Sequence, residues 1–276
     1  MKHFLEPKDI NLSVMNEIFT IADSIKDKGK FLTDKCAVLF FPTSSVLTRT
    51  TFEKGIVSAG GQTILFPPDT LDTRRKLEDT VGYLCNWADC IIVRHNSMDV
   101  IEEIAKYSSV PVINAMTDVN HPCEILSDLY AISKLRKDYL SLQYTYVGRD
   151  NNIGRTWFKA SQSIGFSFRQ CCPQGKGYEI LGATVLNSFN DALQGSDVVL
   201  TDSLPANALE DFKSYQITFN AMLKTNKNSI LNPCPPFFRG EEVSEDAINS
   251  PYFVGYKFKE TLLSVQQATI FYCLCT

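Results

Sequence analysis

No stretch of this chain is apolar for the roughly 20 residues that a helix needs to span a bilayer, so an integral helical membrane protein is not expected. An excess of basic charge is also missing. Lys and Arg number 27 against 31 Asp and Glu, a formal net charge of −4, which disfavours a protein that holds nucleic acid by neutralising phosphates. A small anion can still be bound, because local charge decides that. Met1 to Asp9 carries charges where a secretion signal has its apolar stretch. The nine cysteines include no CxxC spacing, and neither repeats nor low-complexity tracts stand out. The expectation is a cytoplasmic globular protein with no metal centre and with buried free thiols, among them Cys36, Cys90 and Cys171 inside apolar strand-like runs. The last four residues, Cys273-Leu-Cys-Thr276, have the spacing of a prenylation box, but Cys275 is a poor aliphatic there and a packed helix end is favoured.

What is present is the mixture of an ordinary globular protein, 44% hydrophobic and 21% charged over 276 residues. That length exceeds one comfortable core, so two domains of roughly 130 residues each are expected. Short apolar runs read as strands at Cys36–Phe41, Thr63–Phe66, Cys90–Arg94 and Val110–Asn114. A second set lies at Tyr144–Gly148, Phe166–Cys171, Asp197–Thr201 and Ile230–Asn232. Continuous apolar strands fit a parallel sheet covered on both faces. Between them Arg74–Ala88, Ser97–Tyr107 and Ile153–Ile164 read as crossover helices. The repeated strand–helix order predicts an α/β fold with two doubly wound parallel-sheet domains. A helix from about His121 to about Lys137 separates the strand sets. The boundary is therefore placed at residues 135/136, with the second domain at 136–256 and a C-terminal helix, about 257–276, packing back onto the first.

In such sheets ligands gather at the carboxyl ends of strands. The first of these ends opens Pro42-Thr-Ser-Ser-Val-Leu-Thr-Arg-Thr-Thr-Phe-Glu53, whose hydroxyls and backbone N–H groups lead into a helix, a geometry that favours an anion. Ser45 or Thr48 could equally be a helix cap there. Later ends carry Ile91-Ile-Val-Arg-His95, Thr117-Asp-Val-Asn-His-Pro-Cys-Glu-Ile-Leu-Ser-Asp128, Val147-Gly-Arg-Asp-Asn-Asn-Ile-Gly-Arg-Thr156, Asp197-Val-Val-Leu-Thr-Asp-Ser-Leu-Pro205 and Asn232-Pro-Cys-Pro-Pro-Phe-Phe-Arg-Gly-Glu-Glu-Val243. Glycine spacing near 148–154 does not make a dinucleotide fingerprint, so no nicotinamide cofactor, and no cofactor of any kind, is expected.

These motifs, in this order, resemble the aspartate/ornithine carbamoyltransferase family, with a second domain closer to the ornithine branch. The resemblance implies a transferase without cofactor, acting on carbamoyl phosphate and an amino acid such as ornithine or a diamino acid. It also implies an active site in the cleft between the two domains and a homotrimer sharing that site. By the same resemblance Ser45, Val46, Leu47, Thr48 and Arg49 form the carbamoyl-phosphate loop, with Arg94, His121, Glu124 and Arg239 completing the donor site. His121, Arg94, Arg239 and Cys234 carry the catalytic roles. Asn152, Arg155, Asp202, Ser203, Leu204, Cys234 and Pro235 line the amino-acid site, Ser203-Leu204-Pro205 standing where the ornithine branch has Ser-Met-Gly. Arg74-Arg75-Lys76 resembles the start of a mobile loop offered to a neighbouring subunit, or is a solvated charge run.

Two positions depart from the family. Leu47 stands where the family has an arginine on the phosphate, and Glu124 where it has a glutamine on the carbamoyl nitrogen. Leucine offers neither charge nor donor. A carboxylate at ~5 Å from a phosphate opposes it by on the order of a few kcal/mol at intermediate dielectric. Two functions therefore stay open: a transferase using carbamoyl phosphate or a related donor, and a non-catalytic or regulatory paralogue that has lost phosphate binding.

Overall fold

A computed structural model describes residues 2–180 and 182–276. The chain forms two compact units, Met1–Lys134 with Lys259–Thr276, and Leu135–Phe258. In the first, β1 (Cys36–Phe40), β2 (Gln62–Phe66), β3 (Cys90–Arg94) and β4 (Val112–Met116) form a sheet in the order β2-β1-β3-β4, every pairing parallel. Helices α1 (Leu12–Asp23), α2 (Val46–Ser58), α3 (Leu77–Leu84), α4 (Met98–Tyr107) and α5 (Pro122–Leu135) accompany it. In the second, β5 (Gln143–Val147), β6 (Ser167–Cys171), β7 (Val185–Leu186), β8 (Val198–Thr201) and β9 (Ile230–Pro233) pair in parallel in the order β7-β6-β5-β8-β9, with α6 (Asn152–Ile164) as the longest helix between strands. The α/β class with two parallel sheets is what the alternating pattern predicts.

Both sheets share one consequence of their order. The earliest strand is internal, with the next strand on one side and a later one on the other. Chain therefore leaves β1 and β3, and likewise β5 and β8, toward opposite faces, and a crevice opens outside their carboxyl ends. The interior strands are as apolar as that burial demands. Val38, Phe40, Ile91 and Val93 pack with Ile101 and Ile104 of α4. An edge strand departs from the expected double burial: in β2 Ile64 and Phe66 face solvent. The other edge of that sheet is covered by the N-terminal segment, whose Phe4 pairs with Ile113.

Several boundaries move for identifiable reasons. The expected helix Arg74–Ala88 shrinks to Leu77–Leu84, leaving Arg74, Arg75 and Lys76 in an exposed bend. Glu78 and Asp79 suit a helix N-terminus, whereas three cations ahead of them oppose its dipole. The strand expected at Val110–Asn114 begins at Val112 instead, after Pro111, which has no N–H to donate to a ladder. Helix α1, absent from the sequence reading, is capped by Asn11, whose Oδ1 accepts from Val14 N at 3.0 Å. The C-terminal helix, Thr261–Cys275, lies in the first unit, where Gln267 Nε2 donates to the Gly55 carbonyl at 2.8 Å. Of the nine free cysteines Cys36 and Cys85 are half-buried and Cys275 exposed; the other six are buried.

The second unit's core centres on Trp157 of α6, 1% exposed and packed against Tyr144 and Phe166. Trp157→Ala should cost about 3–5 kcal/mol, read as a lower urea midpoint at unchanged slope in far-UV circular dichroism.

Candidate functional site

At the crevice of the first sheet two strand ends meet. Ser45 closes the turn after β1, and Arg94 ends β3. The Arg94 guanidinium donates from Nη1 to Ser45 Oγ at 2.9 Å. Ser45 occupies the N-cap position of α2 without bonding a helix N–H through its side chain, so its hydroxyl serves Arg94 rather than the helix. Thr48 is buried beside it in the first turn. Arg49 is half-buried and bonds Glu53 one turn on at 2.9 Å, while Val46 and Leu47 face solvent at 67% and 53% exposure. His95, next to Arg94, is buried, with Nε2 3.0 Å from Asp72 in the loop that carries Arg74–Lys76.

The Thr117–Asp128 stretch owes its pattern to a tight turn. Thr117 N–H donates to the Asn120 carbonyl at 2.8 Å, and Asn120 N–H donates back to Thr117 Oγ1 at 3.0 Å. Asn114 Nδ2 then holds Asn120 Oδ1 at 2.6 Å. That lock delivers His121 to the threshold of α5, where Pro122 is the first helical residue and needs no N–H. His121 is buried, and burial pushes its imidazole down to about 4; Glu124 opposes that shift, and Arg94 and Lys259 add to it. The ring is neutral at pH 7. It can donate one hydrogen bond without carrying charge.

Glu124, in the first turn of α5, is buried too. Burial alone would push its carboxyl up, but Lys259 first, then His121 and Arg94, hold it below the usual carboxylate range. Lys259 Nζ donates to Glu124 Oε1 at 2.6 Å and to Asp128 Oδ1 at 2.5 Å. Sequence reasoning missed Lys259. A carboxylate pair four residues apart on a buried helix demands a cation, but periodicity could not tell which lysine, more than 130 residues on, would supply it.

In the second unit the crevice lies beyond β5 and β8. Here the structure brings Asn151 to Asp202: Asn151 Nδ2 donates to Asp202 Oδ2 at 2.8 Å. Its Oδ1 caps α6 through Gly154 N–H at 2.9 Å and accepts from the Tyr146 hydroxyl at 3.0 Å. Asn152 Oδ1 accepts from the adjacent Ile153 N–H. The first turn of α6 tolerates only glycine at 154, since a Cβ there would sit 1.5 Å from the Tyr178 hydroxyl and 2.6 Å from the Tyr146 ring. Arg155 is clasped by Asp150 through two bonds of 2.5 Å.

Cys234 is buried just past β9, beside the end of β8, its N–H on the Thr201 carbonyl at 2.8 Å. Pro235 follows it and begins the cis peptide to Pro236. Ser203 is half-buried, but Leu204 packs with Cys172, Ala208 and Phe212, so its side chain belongs to the core rather than to an open surface. The Arg-Gly-x-Glu-Val pattern is partly architectural. Phe238 N–H donates to Glu242 Oε1 at 2.7 Å, and Gly240 turns the chain at φ +91°. Arg239 reaches Glu245 and the Tyr256 hydroxyl at 2.9 and 3.2 Å. Among the described residues no cluster of three metal-ligating side chains occurs, and no helix is long and apolar enough to cross a membrane.

Residues 2–134 match the carbamoyl-P binding domain of aspartate/ornithine carbamoyltransferase, and residues 141–273 match its Asp/Orn binding domain. The chain belongs to this family. It is 31% identical over 295 residues to the ornithine carbamoyltransferase of Syntrophotalea carbinolica, covering 97% of both chains. With that of Desulfotalea psychrophila it is 32% identical over 260 residues, covering 87% and 86%. The crystal structure of ornithine carbamoyltransferase from Burkholderia thailandensis superposes with a TM-score of 0.93 at 27% identity, covering 100% and 99%. Family membership thus agrees with the two parallel sheets.

The neutral burial of His121 has a sign that can be measured. Its folded value near 4 lies below the ordinary 6.5, so the unfolded chain binds the proton first, and stability falls as pH drops from 6.5 toward 4. The loss should approach about 3 kcal/mol across that window. In His121→Gln the dependence of urea stability on pH between 6.5 and 4 should be visibly flatter.

Proposed function

We propose that the chain transfers a carbamoyl group from carbamoyl phosphate to the amine of an amino acid with its own carboxylate and ammonium, of the ornithine or diamino-acid kind, as a cytoplasmic homotrimer. The observation that carries this reading is the cluster at the β1/β3 crevice: a guanidinium on a serine hydroxyl, a buried neutral imidazole and an ionised carboxylate. Each suits one part of a carbamoyl group about to be attacked. The neutral amine adds to the carbonyl carbon, and the oxygen takes up the developing charge. His121 and Arg94 donate to that oxygen, Glu124 accepts from the NH₂, and collapse expels phosphate, whose oxygen takes the proton that the amine loses. Ser45, Thr48, Arg49 and Arg239 hold the leaving phosphate. Positioning and preorganised donors supply most of the acceleration, since no covalent step is needed. Cys234 and Pro235 lie beside the amine rather than form a bond to it. Asp202, oriented by Asn151, takes the substrate's α-ammonium, and Arg155 and Asn152, with the Ser203-Leu204 turn, lie toward its carboxylate. Domain limits at 1–135 with 257–276, and at 136–256, divide donor from amine.

A second reading has its own observation. Leu47 is solvent-exposed and Arg49 is already bonded to Glu53, so the phosphate loop offers less free positive charge than the family pattern provides. A regulatory paralogue that no longer binds phosphate would look like this.

Calorimetric titration with carbamoyl phosphate and with a phosphonoacetyl bisubstrate analogue separates the two. Binding in the micromolar to sub-millimolar range, with ureido product formed from ornithine or another diamino acid, is the expected result. Leu47→Arg should tighten carbamoyl phosphate about tenfold or more, and Arg94→Ala should lower kcat/KM at least about 100-fold. No heat from either ligand at millimolar concentration would rule the transferase out in favour of the paralogue.

A further inference from the structure

The position where the family keeps an amide holds, in this chain, one member of a buried three-charge cluster. Lys259 Nζ lies 2.6 Å from Glu124 Oε1 and 2.5 Å from Asp128 Oδ1, and the two carboxylate side chains are 6% and 3% exposed. The lysine enters from the segment just before the C-terminal helix, and the carboxylates lie four residues apart on one face of α5. Building on the reading above, we infer that Lys259 is a specificity-determining residue: it fixes Glu124 as an acceptor-only wall of the donor site, so that the site demands an NH₂ on the donor's acyl carbon.

The chemistry differs from that of an amide. A glutamine can turn either its carbonyl or its NH₂ toward a ligand, whereas an ionised carboxylate can only accept. A carbamoyl NH₂ satisfies it. A methyl group in the same place leaves a desolvated anion one donor short, and sites built that way discriminate strongly. The selectivity lasts only while Glu124 stays ionised. The charged and titratable groups facing it are Lys259, Arg94 at the end of β3, His121 ahead of α5, Asp128 one turn on and Cys123 beside it. Asp128 favours protonation of Glu124, His121 is neutral at pH 7 and the Cys123 thiol is uncharged. Lys259 is therefore the contact that keeps two buried carboxylates from sharing a proton. With that proton, Glu124 would become a hydroxyl donor and the preference for NH₂ would collapse.

Carbamoyl phosphate and acetyl phosphate, which differ in that one group, provide the test. Their dissociation constants are measured by calorimetry from pH 5.5 to 8 on the full chain and on Lys259→Met, Lys259→Arg and Glu124→Gln. The wild type should prefer carbamoyl phosphate by on the order of 100-fold or more, evenly across this range. Lys259→Met should fall below about tenfold at the acid end and recover as pH rises, and Lys259→Arg should retain the even preference. Glu124→Gln, which leaves the Lys259–Asp128 pair in place and so guards against a folding failure in Lys259→Met, should lose about tenfold of the preference while binding inorganic phosphate more tightly. A wild type that prefers carbamoyl phosphate, with the same preference and flat pH profile in Lys259→Met and Glu124→Gln, would overturn the role of Lys259 alone. A wild type that binds neither phosphate overturns the transferase reading, and this inference with it.

Discussion

A parallel sheet sends every strand's carboxyl end to the same edge, and in both units of this chain the earliest strand lies inside the sheet rather than at its border. Much else follows from that constraint. The turn after β1 and the end of β3 must face one another, and so must the turn after β5 and the end of β8. In each crevice a hydrogen bond joins side chains distant in sequence: Arg94 to Ser45 in one, Asn151 to Asp202 in the other. Ser45 and Asn151 sit at helix N-termini, where backbone donors cluster and negative charge is favoured. Two unrelated sequences, folded by one rule, thus present polar groups at equivalent places.

How much of this could be read from the residues varies with the range of the interaction. Strands buried on both faces announce themselves as apolar runs, and Cys90–Arg94 is found where the sequence puts it. The His-Pro junction is legible because Thr117, Asn120 and Pro122 act within a few residues of one another. Edges are less legible: β7 has two residues, too few for a pattern, and β2 keeps a strand's alternation while turning Ile64 to solvent. Helix starts depend on charge as well as hydrophobicity, which is why α3 begins at Leu77 and not at the cations before it.

Side-chain partnerships were the hardest to foresee. Two adjacent asparagines are equivalent in a string of letters; in the structure Asn151 takes the N-cap with extended backbone and donates its amide to Asp202, and Asn152 is the first helical residue. Arg155 reads as a ligand for a carboxylate, and it does hold one, supplied by Asp150 of its own loop. An amino-acid substrate would have to compete with that pair or be met by a neighbour. Leu204 shows the opposite case, a position in a binding motif whose side chain the core claims.

Glu124 shows how a substitution that is unfavourable alone can be accommodated. A carboxylate buried without a partner costs several kcal/mol, and a second at Asp128 compounds it. Lys259 removes that cost by answering both at once, and the helix N-terminus under Glu124 adds its own favourable field. The two anions are balanced by Lys259 and Arg94, so this wall carries no net charge toward a ligand, His121 being neutral. A phosphate dianion therefore draws its attraction from elsewhere, and the loop that would supply it has Leu47 in place of a guanidinium. The two replacements act in one direction. In the function proposed above, they move recognition away from the charge of the leaving group and toward the hydrogen-bonding pattern of the group transferred.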